Sequence, residues 1–133
     1  VHYICRKIQI NKQHQPLYIN TLINIFIMII AITSTDNNLE GTIDSRFGRC
    51  SFFAFYDTES STTEFMVNPN KDCDEGAGPA SVQFIASNDV KRVISGEFGM
   101  KIKSLFVELG IKASIEKDTT KKIKEIIESI KKE

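Results

Sequence analysis

Short apolar runs alternate with polar loops along residues 28–133, and the period of the apolar positions changes from strand-like to helix-like partway along. Residues 28–33 (MIIAIT) form a continuous apolar run between polar flanks, the pattern of a central strand buried on both faces. Residues 36–44 are polar and contain Gly41, which predicts a loop. The aromatic-rich residues 50–57 (CSFFAFYD) predict a second strand, and residues 64–68 (EFMVN) a third that pairs with it across the turn TESSTT. After the polar loop PNKDCDEGAG (69–78), Pro79 suits the first position of a helix. Val82, Ile85 and Ala86 give that helix an apolar stripe, with Asn88 as a left-handed stop. Residues 92–95 (RVIS) predict a fourth strand. Ile102, Leu105, Phe106 and Leu109 then recur at i, i+3, i+4 and i+7, an amphipathic helix ended by Gly110. Residues 111–115 (IKASI) predict a fifth strand. Asp118 or Thr119 is expected to cap a last helix whose Ile123, Ile126, Ile127 and Ile130 share one stripe.

That order, with no internal repeat, constrains where a ligand can bind. If the first strand runs upward, the second returns antiparallel beside it and the third runs upward again. Right-handed crossovers then carry the fourth and fifth strands upward. The loops at residues 45–50, 69–78 and 95–99 fall on one upper edge, and they hold five of the seven glycines. Open α/β sheets bind ligands beyond the carboxyl ends of their parallel strands. This edge is the expected site.

A chain of 133 residues is the size of one domain, and 41% apolar with 26% charged residues is ordinary globular composition. Seventeen basic residues balance seventeen acidic ones, so charge gives no reason to expect nucleic acid as a partner. Arg6, Lys7 and Lys12 are the only charges before residue 29, which leaves 14 basic against 17 acidic residues beyond it. Residues 1–27 are expected to be a leader outside the domain, which spans residues 28–133. Their uncharged stretch, interrupted by Asn20, Thr21 and Asn24, competes as an export segment or as an added helix. A membrane association is not expected. Three cysteines are too few and too odd in number for a disulfide scaffold, and they favour a reducing compartment, so the expected location is the cytoplasm.

The chemistry available at the edge is that of an anion site. Helices starting at GAGP (76–79) and GEFGMK (96–101) offer unpaired N–H groups and a partial positive charge. Arg46 and Arg49 offer planar donor forks, unless they serve as surface partners of Asp44 or Glu75. Cys50 and Cys73 are the candidate soft-metal ligands, with Cys50 beside Arg49 expected to ionise more easily. Asp72, Asp74 and Glu75 offer a hard-metal alternative. Both histidines, His2 and His14, lie in the leader, so imidazole chemistry is excluded from the domain. The glycine pieces match neither a P-loop nor G-x-G-x-x-G.

Residues 30–33, SRFGRC (45–50), NPN (68–70), EGAGPASVQ (75–83) and SGEFGMK (95–101), taken in order, resemble the dinitrogenase iron–molybdenum cofactor-binding family. The resemblance spans about residues 28–133. It implies a three-layer α/β/α ribonuclease H-like motif, a five-stranded mixed sheet of order 3-2-1-4-5 with strand 2 antiparallel. It also implies a non-enzymatic binding or carrier protein for an iron–molybdenum or other metal–sulfur cluster, with a cluster-assembly protein as a possible partner. The cofactor-binding residues it indicates are Arg46, Phe47, Gly48, Arg49 and Cys50, then Gly76, Ala77 and Gly78, then Gly96, Glu97, Phe98 and Gly99. Nitrogenase-associated members often carry histidine where this chain has Arg46 or Arg49, which leaves thiolate ligation by Cys50 or electrostatic cradling of an anionic cluster. Some relatives hold a molybdenum–copper sulfide cluster without obvious covalent ligands.

Two other classes compete. A regulatory or interaction module would use the same edge for a protein partner or a small anion. A two-metal phosphodiesterase on a ribonuclease H-like scaffold needs converging carboxylates, commonly including one on the first strand. Residues 28–33 carry none.

Overall fold

A computed structural model describes residues 28–133; the readings of the leader lie outside these residues. Five strands, β1 (Ile29–Ser34), β2 (Phe52–Asp57), β3 (Thr62–Val67), β4 (Val90–Ser95) and β5 (Lys112–Ile115), form one sheet in the order β3-β2-β1-β4-β5. β2 is antiparallel to both of its neighbours, whereas β1, β4 and β5 are mutually parallel. The expected sheet is therefore present in both order and direction.

The continuous apolar runs of β1 and β2 arise because helices cover both faces. Alternate residues serve opposite layers. Ala31, Phe53, Phe55 and Val93 pack with α1 (Ala77–Ala86) and α2 (Met100–Glu108). Ile30, Ile32, Ala54, Tyr56 and Ile94 pack with Ile123, Ile126 and Ile127 of α3 (Ile123–Lys131). On the first face Phe47, Phe53, Phe98 and Phe106 cluster, with the Phe47 ring 5.8, 5.5 and 5.1 Å from the other three. Among the described residues no helix is long and apolar enough to cross a membrane.

Local signals at the helix ends misplaced several boundaries. α1 begins at Ala77, so Pro79 occupies its third position, where a missing N–H is equally harmless because the first four amides have no partner within the helix. The left-handed residue after α1 is Asp89 (φ 57°), not Asn88. Asn88 is instead buried, its Nδ2 donating to the Phe84 carbonyl at 2.7 Å. Neither Asp118 nor Thr119 caps α3. Asp118 accepts hydrogen bonds from Thr120, and these hold its carboxyl below the usual range. The N-cap is Lys122, whose N–H is held by Glu125 Oε1 at 3.0 Å.

Candidate functional site

The three loops meet at the carboxyl end of β1 and β4, where the chain leaves these neighbouring strands toward opposite sides of the sheet. Thr33 and Ser95, at the ends of these strands, both direct buried hydroxyls at the Asp44 carbonyl (2.7 and 3.4 Å), which also accepts the Gly96 N–H. Arg46 and Glu97 then form a parallel β-bridge. Backbone meets backbone so closely that a Cβ on Gly96 would stand 2.5 Å from Ser45 Cα, and one on Gly48 would stand 2.9 Å from the Gly78 backbone. These two glycines are required for loop-to-loop packing.

Convergence does not give the named residues equal access. Phe47, Ala77 and Phe98 are buried, so their side chains belong to the core rather than to the open edge. The aromatic anchor of Phe47 explains why SRFG folds back onto the sheet. Arg46 leaves 57% of its side chain exposed while its Nε approaches the buried Asp44 carboxylate at 3.4 Å, and the same Asp44 oxygen accepts the Arg46 N–H at 2.9 Å. Its two terminal nitrogens have no partner among the described residues. Arg49 plays a different part. Its Nη1 donates to the carbonyls of Lys71 (3.0 Å) and Cys73 (2.7 Å), tying the first loop to the second. Glu97 is exposed beside Arg46, and Gly99 is exposed at the start of α2.

The expectation that Cys50 ionises readily is corrected. Its side chain is wholly buried, and burial, reinforced by the Asp44 charge, pushes the thiol up rather than down. A neighbouring arginine in sequence does not help, since the Arg49 guanidinium is committed to carbonyls elsewhere. Cys73 is half-buried, 3.8 Å from Asn70 Oδ1. Both are free thiols. Among the described residues no three His, Cys, Asp or Glu side chains gather as a metal site, so Asp72, Asp74 and Glu75 do not assemble with Cys73. The described side chains thus offer no three-ligand set for a cluster. What the edge does offer is the Arg46 guanidinium and the helix amides.

Those N–H groups come from α1 and α2. Neither helix has a side-chain cap or an acid in its first turn. Among the described residues no carbonyl outside these helices accepts the amides of Ala77, Gly78, Met100, Lys101 or Ile102. Asn68 was not among the expected site residues, although NPN marks a strand exit. It is buried between the first two loops, and its Nδ2 donates to the Gly48 and Cys50 carbonyls at 3.0 Å each.

The sequence matches the dinitrogenase iron-molybdenum cofactor family over residues 28–133. The chain belongs to this family. Among solved structures it is similar to the apo form of the orange protein from Desulfovibrio gigas, with 24% identity and a TM-score of 0.73 over 79% of this chain and 88% of that one. It is also similar to a Thermotoga protein named for NifB, with 28% identity and a TM-score of 0.66 over the same shares. These likenesses show the fold. No curated protein matches the chain. The family is named for a cofactor, which fits a binding or carrier role.

Proposed function

We propose that residues 28–133 are a non-catalytic cytoplasmic carrier for an anionic metal–sulfur cofactor, held at the loop edge by charge and backbone donors, with residues 1–27 outside the carrying domain. The observation that carries this reading is the pair of uncapped helix starts at the edge where Arg46 projects. Two helix dipoles and a guanidinium fork favour an anion with several acceptor sulfurs over a neutral ligand. Membership of the cofactor family supports the choice of cargo. The cluster itself supplies whatever redox chemistry it later performs. The protein supplies charge and backbone donors.

Titration with tetrathiomolybdate tests the reading. Wild-type affinity falls as salt rises, because exposed charges are screened within about 10 Å at 0.1 M. Arg46→Gln weakens binding by about 1.5–3 kcal/mol, while its melting shifts by no more than about 0.5 kcal/mol. Unchanged affinity in Arg46→Gln, or no binding at all, refutes the reading.

A second reading has its own observation. Asp72, Asp74, Glu75 and Glu97 are exposed near the same edge with no ion pair among the described residues, and Met100 is 86% exposed at the first position of α2. Acid around an apolar tip suits a basic protein partner. Copurification of a basic protein that Asp72→Asn with Glu75→Gln abolishes would favour it.

A further inference from the structure

Asn68 is 2% exposed, and its side chain uses its donors and its acceptor. Nδ2 donates to the carbonyls of Gly48 and Cys50, and Oδ1 accepts the Asn70 N–H at 2.9 Å. The Gly48 carbonyl accepts a second hydrogen bond, at 3.2 Å, from Ser81 Oγ, which is fully buried in α1. Two buried donors therefore hold this carbonyl inward. The peptide joining Gly48 to Arg49 is trans and planar, so its C=O and N–H point in opposite directions. Turning the Gly48 oxygen toward the buried Asn68 and Ser81 turns the Arg49 N–H away from them, and Arg49 itself is only half-buried. Among the described residues that N–H has no hydrogen-bond partner.

A glycine-containing turn is free to rotate this peptide unless something holds it. We propose that Asn68, assisted by Ser81, is a positioning residue for the anion edge: it locks the Gly48–Arg49 peptide so that the Arg49 backbone N–H is a donor to the bound anion. Arg49 thus acts through its main chain, while its guanidinium is occupied in bracing the second loop. A donor fixed before binding costs no ordering when the anion arrives. This inference rests on the carrier reading and adds a third source of N–H groups to α1 and α2.

Amide chemical shifts separate the two claims. The uniformly 15N-labelled full chain is titrated with tetrathiomolybdate. The Arg49 amide is expected to move along with those of Gly78 and Lys101, and with the same midpoint. In Asn68→Ala the Arg49 shift falls by more than half and affinity drops about tenfold, a single charge-assisted contact, while the α1 and α2 amides still respond. Ser81→Ala, which leaves one of the two inward bonds, gives a smaller loss in the same direction and serves if Asn68→Ala does not fold. A stationary Arg49 amide with moving α1 and α2 amides overturns this inference and leaves the carrier reading standing. An Arg49 shift undiminished in the variants overturns the positioning role. If none of these amides moves, the carrier reading itself falls, and this inference with it.

Discussion

The amino ends of α1 and α2 lie on one face of the sheet and that of α3 on the other, all at the carboxyl edge of the parallel strands, yet they are finished differently. At α3 the loop after β1 supplies acceptors: Ile123 N–H bonds to the Gly41 carbonyl at 2.8 Å and Lys124 N–H to that of Leu39 at 3.1 Å. Glu125 completes the capping box, and Glu40 bridges the ammonium groups of Lys122 (2.9 Å) and Lys124 (2.7 Å). Every donor there is matched by the chain itself. At α1 and α2 the helix starts are glycines, Gly76 and Gly99, with no side-chain cap and no first-turn acid. Unpaired helix amides cost little while water reaches them, and they become useful only when an anion replaces that water. One helix start is closed by the chain itself, and the two that lack a cap are the ones proposed to meet an anion.

The comparison can be broken first at the packing beneath the open edge. Phe47→Ala removes a buried ring that three other phenylalanines surround, so unfolding by denaturant should show a loss of about 3–5 kcal/mol. A loss below about 1 kcal/mol would mean that the loop is not anchored as described. The two arginines sharpen the contrast within the edge. Arg49→Gln forfeits two charge-assisted bonds to carbonyls and should cost about 1.5–3 kcal/mol of stability. Arg46→Gln should cost almost none. Equal melting of the two variants would contradict this division.

The closed helix start has a pH signature. Hydrogen bonds from Lys124 and Lys122 hold the Glu40 carboxyl at about 2 against an ordinary 4.5. A depressed carboxyl contributes fully above its unfolded value, and the contribution fades as pH falls from about 4.5 to about 2. Glu40→Gln should therefore flatten the acid limb of the stability profile without changing anion affinity. The pair is exposed, so the effect is small and salt reduces it. Parallel profiles for the wild type and the variant would show that the bridge contributes nothing.

Topology was legible in the sequence because both faces of β1 and β2 are covered, which leaves continuous apolar runs that loops cannot mimic. The convergence of three glycine-bearing loops followed from that topology alone. Individual roles were not legible, because they depend on contacts between residues far apart in the chain. Phe47 and Phe98 look like site residues in SRFG and GEFG, yet they turn inward onto Phe106. Arg46 and Arg49 are three positions apart and read alike, and only the third dimension gives one to Asp44 and the other to the Lys71 and Cys73 carbonyls. Cys50 reads as a thiol beside an arginine, whereas burial sets its chemistry. The cap of α3 was misplaced for a related reason: its acceptors come from residues 39 and 41, which no local pattern can reveal.

Closing one of the open helix starts decides whether its amides serve an anion. Gly99 has an extended backbone (φ −68°, ψ 155°), and a Cβ there would meet nothing within 4 Å, so Gly99→Asp can adopt the N-cap geometry without strain. Calorimetric titration of the wild type and this variant with tetrathiomolybdate, beside their melting curves, compares the two uses of the same amides. The variant should gain a few tenths of a kcal/mol in stability and bind the anion at least about tenfold more weakly. Unchanged or tighter binding by the capped variant would contradict an anion role for those amides.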